Sequence, residues 1–396
     1  MTFTLTDRKV LEDVLFLHKI ISENNPFKFL KQRTHGVFWD EYKDQFCEWA
    51  ESVKTPEDYL DLMWHICKTA KCGHITPCPD WLTSLHKLEM FSELSPWRIL
   101  ADDKENYESN IYWNDVSENK RKHNVENKDD TIKPSYRHVV HDVELNNDTL
   151  YMSLPMMRYP DEEIMAHYSK IVNSLEQYKN FIIDVRGNPG GGDGAWTEFL
   201  SMIICKDITT PLIYFYRAGE HVKPFFKYYF PDESVEDIRN SSLYTGKFDE
   251  SLLTNEFAKP YIYHDTVTRS KDSISFSGKI AVIMNKINFS SSEAFLVRVK
   301  HSGLATMIGE TSGGDGIGCT PAIFVLPNSR LAVRYPVILG LNPNSTINDE
   351  YPTSPDVYCA VKQFDKPLSM YDDNGKAWLL ADNAVQTAMN EFDRFT

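Results

Sequence analysis

Asn288-Phe289-Ser290-Ser291-Ser292-Glu293 joins an apolar, strand-like run over residues 279–284 to a helical run over 294–300. A strand that ends in a tight turn and enters a helix leaves one side chain exposed at the turn, beside the unpaired amides of the helix N-terminus. A nucleophilic hydroxyl and a developing oxyanion both suit such a place. Because a serine run followed by Glu is equally typical of a plain helix N-cap, the function depends on what surrounds it.

A glycine-rich turn follows another short buried strand. The strand covers 181–185 and leads into Arg186-Gly187-Asn188-Pro189-Gly190-Gly191-Gly192. A strand over 149–154 and an amphipathic helix over 161–178 precede it, which predicts a right-handed crossover in an open α/β sheet, with the turn at the carboxyl edge where such folds keep their sites. The turn lacks the P-loop ending and the dinucleotide fingerprint, so it is either a cradle of backbone amides or a flexible turn.

Residues 1–85 are predicted to form an N-terminal helical bundle. Thr6 can cap the first helix, and Thr55-Pro56-Glu57-Asp58 combines a cap, a proline at the first position and acids at the positive helix end. The helix that Thr55 opens stops at Gly73, and His74 follows in a loop. A histidine in this position either interacts with the helix C-terminus or serves a site.

The rest of the chain divides into a connection and a main domain. Residues 86–145 are predicted as a polar connecting segment with short strands, one hairpin lying around 107–113, and residues 146–396 as the main α/β domain. The stretches 101–135 and 217–277 are the expected specificity determinants of a site in that domain.

Composition excludes several functions. Among 396 residues, 42 Lys+Arg stand against 57 Asp+Glu, a net charge of -15 that repels nucleic acid. No apolar run reaches the ~20 residues of a membrane span, and no secretion signal is visible, so we expect a cytoplasmic protein, or a periplasmic or extracellular one if a leader has been removed.

The cysteine count bears on metals and redox state. Seven cysteines, an odd number scattered along the chain, favour reduced thiols. Cys72, His74 and Cys78 are conceivable metal ligands, but no second Cys/His pair follows at zinc-site spacing. We therefore expect neither a metal nor another cofactor.

Taken in order, the motifs resemble the carboxyl-terminal processing (tail-specific) serine peptidase family, in its branch of tricorn-like and interphotoreceptor-retinoid-binding-protein-like members. The matching segments run from residue 73 to 357: Gly73-His74-Ile75-Thr76, Ile183-Asp184-Val185-Arg186-Gly187-Asn188-Pro189-Gly190-Gly191, Ser290-Ser291-Ser292-Glu293, Ile308-Gly309-Glu310-Thr311-Ser312-Gly313-Gly314, Leu326-Pro327-Asn328-Ser329 and Pro355-Asp356-Val357. Each segment alone is weak evidence, whereas the ordered set is specific.

The resemblance implies a crotonase-like β-α superhelix, here over 146–396, behind the N-terminal helical bundle. It implies Ser290 as nucleophile and His74 as general base. An acid just upstream of the Pro-Asp segment would orient the histidine, either Asp349 or Glu350, with Asp349 better by spacing. The processing branch carries a lysine base where this chain has Asp315.

The chemistry agrees with this assignment. His74 would take the Ser290 proton, and the amides of Gly190 or Gly191 and of Ser291 would receive the oxyanion; Lys286 is a less suitable alternative base. The leading hypothesis is a serine endopeptidase that acts on peptide or protein substrates through an acyl-enzyme. A catalytically degenerate ligand-binding protein on the same scaffold is the main alternative, and an acyl-CoA enzyme is a third. The oligomeric state does not follow from the sequence.

Overall fold

The computed structural model describes residues 6–81, 92–125, 140–217, 219–230 and 261–394. Within these ranges the chain forms twelve α-helices and twelve β-strands. The helices are α1 Asp7–Asn24, α2 Lys28–His35, α3 Lys43–Ala50, α4 Pro56–Thr69, α5 Pro96–Asp102, α6 Lys104–Val125, α7 Glu162–Leu175, α8 Gly194–Ser201, α9 Lys223–Tyr229, α10 Ser291–Ser302, α11 Lys376–Ala381 and α12 Asn383–Asp393. The strands are β1 Thr76–Pro77, β2 His141–Asn146, β3 Thr149–Ser153, β4 Asn180–Asp184, β5 Ile208–Phe215, β6 Tyr261–Val267, β7 Lys279–Met284, β8 Thr306–Gly309, β9 Ala322–Val325, β10 Ala332–Tyr335, β11 Leu339–Leu341 and β12 Val357–Tyr358.

The largest sheet has six strands in the order β12-β8-β7-β4-β3-β2. All neighbours are parallel except β2 and β3, which form an antiparallel pair. Strands of a parallel sheet are usually covered on both faces, and for this reason β4 and β7 consist almost entirely of apolar residues. The α/β class predicted from the sequence is confirmed.

Helices cover both faces of this sheet. Side chains alternate along each strand, so Phe181 and Ile183 of β4 pack on one face with residues of α7, α8 and α10. Ile182 points to the opposite face and packs with residues of α11 and α12. The sheet is therefore the middle of three layers, and its carboxyl edge is left for the loops that follow β4, β7 and β8.

The N-terminal helices share a core with two smaller sheets. One of these sheets has the order β1-β10-β9 and the other β11-β5-β6, and both are antiparallel. A single cluster of buried apolar residues extends from Val10 in α1 to Ile347. The caps agree with the sequence: Thr6 accepts from the Lys9 amide, and Thr55 and Asp58 form a capping box. The predicted domain boundaries at 85 and 145 stay predictions.

The expected hairpin around residues 107–113 is wrong, because these residues lie within α6. Besides burying Trp113 and Val116, this helix is attached by hydrogen bonds: Ser109 Oγ and Trp113 Nε1 donate to the Ser329 carbonyl, and Asn110 Nδ2 donates to the Pro79 carbonyl. Its inward side therefore carries buried polar residues, which hide the apolar period that normally marks a helix. The described parts of the presumed specificity stretches contain α5, α6, α9 and β6, while 82–91, 126–139 and 231–260 lie outside the described residues.

Candidate active site

Three loops at the carboxyl edge of the sheet meet at Ser290. The serine lies between β7 and α10, in the turn predicted from the sequence, and its backbone has φ 57° and ψ −127°. Only glycine adopts this conformation without strain, so the side chain is held at a sharp turn by the surrounding structure. The Ser290 amide donates to the Gly314 carbonyl at 3.3 Å and the Gly313 amide to the Asn288 carbonyl at 2.6 Å, which joins this turn to the loop after β8.

His74 reaches Ser290 from the loop between α4 and β1. Its Nε2 lies 3.0 Å from Ser290 Oγ, and the imidazole is mostly buried. The ring lies 4.8 Å, centroid to centroid, from that of Phe289. A side chain at Gly73 would overlap the same Phe289 ring, with a Cβ only 2.5 Å from its Cζ. The glycine therefore lets the histidine loop pack directly on the turn that bears Ser290.

The acid beside His74 is Asp315, not Asp349 or Glu350. Asp315 Oδ2 lies 2.8 Å from His74 Nδ1, and its side chain is 6% exposed. Asp349 is paired with Lys31 at 2.6 Å, and Glu350 forms a bidentate pair with Arg33 at 2.7 and 2.9 Å. The sequence expectation for the histidine's partner is wrong because the two acids are occupied by cations of α2.

The sequence contains one signal that could have identified Asp315. It stands where the processing branch carries its lysine base, so it faces the same reaction centre with the opposite charge. Its backbone φ of 54° is the conformation that short polar residues tolerate best outside glycine. A residue of opposite charge at a family's catalytic position is a reason to look for a changed role.

The glycine turn brings backbone amides to the nucleophile. A Cβ on Gly190 would lie 2.9 Å from the Ser290 Cβ and 3.0 Å from the Ser291 nitrogen, so only glycine permits this approach. The Gly190 amide itself donates to Asn188 Oδ1 at 2.8 Å. Within the described part of the chain, the Gly191 and Ser291 amides have no hydrogen-bond acceptor. Of the predicted oxyanion donors, these two remain available.

Side-chain hydrogen bonds join the turn that bears Ser290 to the loop after β4 and to the start of helix α8. Ser291 Oγ donates to Asp193 Oδ1 at 2.5 Å, and Trp196 Nε1 lies 3.2 Å from the same hydroxyl. Asn288, fully buried, donates through Nδ2 to the Val185 carbonyl at 2.5 Å. These bonds therefore fix the loops after β4 and β7 relative to each other, although the two loops are distant in the sequence.

Glu293 has a structural position below the turn. Its Oε1 accepts from Asn348 Nδ2 at 2.8 Å and from the Thr353 amide at 2.9 Å. The side chain is fully buried, and burial raises the pKa of this carboxyl. Glu293 thus anchors the 348–353 segment, which carries Asp349, and no described hydrogen bond joins it to Ser290. Lys286 is exposed, and no described contact joins it to the serine.

The described residues contain neither a cluster suited to a metal ion nor a helix suited to a membrane span. No group of His, Cys, Asp or Glu side chains among them is arranged to hold a metal ion. No helix in the same ranges combines the length and the apolar character needed to cross a bilayer.

Comparison with known proteins identifies the family. A model of peptidase family S41 matches residues 148–359, more than half of the chain. This match defines the chain as a serine-type peptidase. The chain belongs to peptidase family S41, the family of tail-specific processing peptidases that its motifs resemble. Its substrates are accordingly peptides or proteins.

Solved structures show the same fold across nearly the whole chain. A putative peptidase from Parabacteroides merdae is 15% identical, with a TM-score of 0.56, and the match covers 98% of this chain and 97% of that one. CPAF in complex with lactacystin is 12% identical with a TM-score of 0.60, covering 99% and 100%. A CPAF mutant is 12% identical with a TM-score of 0.62, covering 98% of each chain. No curated protein is significantly similar in sequence.

Proposed function

We propose that this chain is a serine endopeptidase in which Ser290 attacks the peptide bond, His74 acts as general base and Asp315 orients the histidine. The observation that carries the proposal is the hydrogen-bonded row Ser290 Oγ, His74 Nε2, His74 Nδ1 and Asp315 Oδ2, with spacings of 3.0 and 2.8 Å. This is the relation of nucleophile, base and orienting acid that acyl transfer requires. We infer a crotonase-like β-α superhelix for the peptidase domain that carries it.

Acylation follows from this arrangement. Ser290 Oγ bonds to the carbonyl carbon while its proton passes to His74 Nε2, and the oxyanion is received by the Gly191 and Ser291 amides. The tetrahedral intermediate collapses, the C–N bond breaks, and the imidazolium returns the proton to the leaving amine. Asp315 accepts from Nδ1 throughout, which fixes the tautomer and stabilises the imidazolium.

Deacylation uses the same groups in reverse roles. With the amine gone, His74 Nε2 takes a proton from a water molecule that attacks the ester carbon. The second tetrahedral intermediate collapses with the proton returned to Ser290 Oγ, releasing a carboxylic acid. Each step needs only protons and electron pairs already present, so the cycle leaves the enzyme unchanged.

Labelling with a fluorophosphonate probe tests the proposal. The adduct, located by peptide mass spectrometry, should lie on Ser290 and disappear in Ser290→Ala and His74→Ala. Ser302→Ala is the matched control, since it removes a hydroxyl from the other end of α10, where Ser302 Oγ donates to the Val299 carbonyl. A folded protein that stays unlabelled would favour the alternative of a degenerate, ligand-binding member on this scaffold.

A further inference from the structure

A second carboxylate, Asp349, lies behind the acid that contacts His74. It is paired with Lys31 of α2, Oδ2 to Nζ 2.6 Å, and the two side chains are only 10% and 6% exposed. A buried pair of this kind costs desolvation, and removing one partner leaves an uncompensated charge in the interior. The two charges of this pair therefore affect the pKa of any ionisable group nearby.

Asp349 and Asp315 belong to segments in direct contact. A Cβ on Gly314 would lie 3.0 Å from the Asn348 carbonyl oxygen and 3.4 Å from the Asp349 Cα. The Gly316 amide donates to Asn348 Oδ1 at 2.8 Å. Burial and then the charge of Asp315 raise the pKa of Asp349, while Lys31 opposes this shift. Two buried carboxylates thus lie close together: Asp315 contacts the imidazole of His74, and Asp349 is paired with Lys31.

The charged and titratable groups around Asp349 come from three segments. Helix α2 supplies Lys31 and, farther away, His35, the loop after β8 supplies Asp315, and the loop before β1 supplies the buried Cys72 thiol. Burial, reinforced by the two carboxylates, raises the pKa of Cys72, so the thiol remains neutral. Lys31 is consequently the closest counter-charge to Asp349 among the described residues, and it lies more than 40 residues before His74 in the sequence.

We propose that Lys31 is a positioning residue of the peptidase: it occupies Asp349 in an ion pair and so leaves Asp315 as the acceptor for His74. The inference rests on the proposed roles of Ser290, His74 and Asp315. With the pair intact, transfer of the serine proton to His74 places the imidazolium against the carboxylate of Asp315. The charges of these two groups and of the Lys31–Asp349 pair then sum to zero. Without Lys31, the pKa of Asp349 rises further; wherever Asp349 is still ionised, its uncompensated charge adds to that of Asp315 and favours the protonated imidazole, which cannot act as base.

The pH profile of Ser290 labelling by a fluorophosphonate tests this role. In Lys31→Met we expect the acidic limb of the labelling rate to move up by about one pH unit, roughly a tenfold loss below the limb, since a nearby opposite charge favours a protonated histidine. Asp349→Asn should move the limb in the opposite direction, because it leaves the Lys31 charge unpaired. The double variant Lys31→Met/Asp349→Asn should return the limb to its wild-type position.

Two further variants separate positioning from general packing. Lys31→Arg keeps the charge and should retain the wild-type limb. Arg33→Met removes the neighbouring pair with Glu350, whose side chains are 46% and 18% exposed, and should leave the limb unchanged.

Each outcome has a definite meaning. A limb that stays fixed in Lys31→Met while the rate falls uniformly would overturn the proposal, as would a double variant no nearer to wild type than the single one. Should Lys31→Met fail to fold, the opposite shift in Asp349→Asn and the double variant still decide. Wild-type protein that is folded but unlabelled at Ser290 would instead refute the proposed function, and this inference with it.

Discussion

At the scale of single residues, Asp315 Oδ2 lies 2.8 Å from His74 Nδ1 and favours the histidine tautomer that carries its proton on that nitrogen. Asp315→Asn should leave the fold intact but favour the wrong histidine tautomer, with a loss in turnover on the order of 10⁴-fold, the effect known for the equivalent change in a chymotrypsin-type triad. Glu350→Gln, which affects only the pair with Arg33, should change turnover less than about twofold. Steady-state kinetics on a peptide substrate checks both. Equal losses in the two variants would remove Asp315 from its proposed place.

The backbone of Ser290 yields a prediction about stability. A non-glycine residue at φ 57°, ψ −127° is strained by roughly 1–3 kcal/mol. Both Ser290→Gly and Ser290→Ala lack the nucleophile, but the glycine variant relieves the strain and should have the higher free energy of unfolding, by about 1 kcal/mol after the entropy of glycine is counted. Urea unfolding measures the difference.

The same pair of substitutions at Ser302 is the control for that measurement. Ser302 ends α10 and is not among the positive-φ residues. There, glycine should be less stable than alanine by up to about 1 kcal/mol, the ordinary helical order. If the two sites showed the same order, the strain at Ser290 would have no energetic weight.

At the scale of elements, the turn after β4 depends on where its glycines lie. Gly191 has φ 142°, and a Cβ there would lie 2.0 Å from the Met157 carbonyl oxygen, whereas a Cβ on Gly192 meets nothing within 4 Å. Gly191→Ala must therefore displace the turn and its amide. Turnover should fall by ~10²–10³-fold, the usual effect of losing one oxyanion donor. Gly192→Ala is the matched control and should retain near-normal turnover. Comparable losses at both glycines would argue against a role for the Gly191 amide.

The contact between β2 and α7 gives a pH-dependent prediction. Asp142 lies 3.0 Å from His167 Nε2 and 3.3 Å from Lys170 Nζ, and these two side chains lower its pKa from 3.8 to about 2. The folded pKa is below the unfolded one, so the stabilisation is present above pH 4 and is lost as the pH falls through about 2. Asp142→Asn should therefore lower the free energy of unfolding by about 1–2 kcal/mol at pH 7, less than the full pKa shift implies because solvent screens this partly exposed carboxyl, with the difference closing towards pH 2.

Denaturant unfolding at several pH values checks this expectation. Asp148→Asn is a suitable control, since Asp148 pairs with Lys179 at 2.9 Å but both side chains are more than half exposed. Its effect should stay below about 1 kcal/mol at every pH. A wild-type advantage over Asp142→Asn that did not change with pH would show that packing, not ionisation, is responsible.

At the scale of the whole molecule, features set by neighbouring residues could be predicted from the sequence, whereas contacts between distant residues could not. Ser290 and the glycine turn were predictable because a strand, a turn and a helix follow one another directly in the chain. The partner of His74 was not, because the choice between Asp315 and Asp349 is made by Lys31, which lies 318 positions before Asp349. Helix α6 was missed for a related reason: much of its buried side is polar and bonded to the distant Ser329 and Pro79, which obscures the apolar period.

The N-terminal helices support His74 through a turn between β9 and β10. Asp13 of α1 is fully buried; it accepts from the Asn328 amide at 2.8 Å, the Ser329 amide at 2.9 Å and the Tyr59 hydroxyl at 2.7 Å. The turn that it fixes leads into β10, and β10 pairs with β1, two residues beyond His74. Because the core of these helices continues into both small sheets, we expect the described parts of the chain to unfold together.

Asp13→Ala tests this coupling between the first helix and the active site. The substitution removes the acceptor of the Asn328 and Ser329 amides, whereas the Tyr59 hydroxyl keeps Ser329 Oγ as a partner, and it should cost about 3–5 kcal/mol of unfolding free energy in one cooperative transition. Ser290 labelling should be lost over the same temperature range as the tertiary structure, because the histidine loop and α1 share their support. Glu23→Ala, on the exposed side of the same helix, should leave both unchanged. If labelling in Asp13→Ala persisted after the N-terminal helices had melted, the active site would not depend on them, and the shared core would be two independent units.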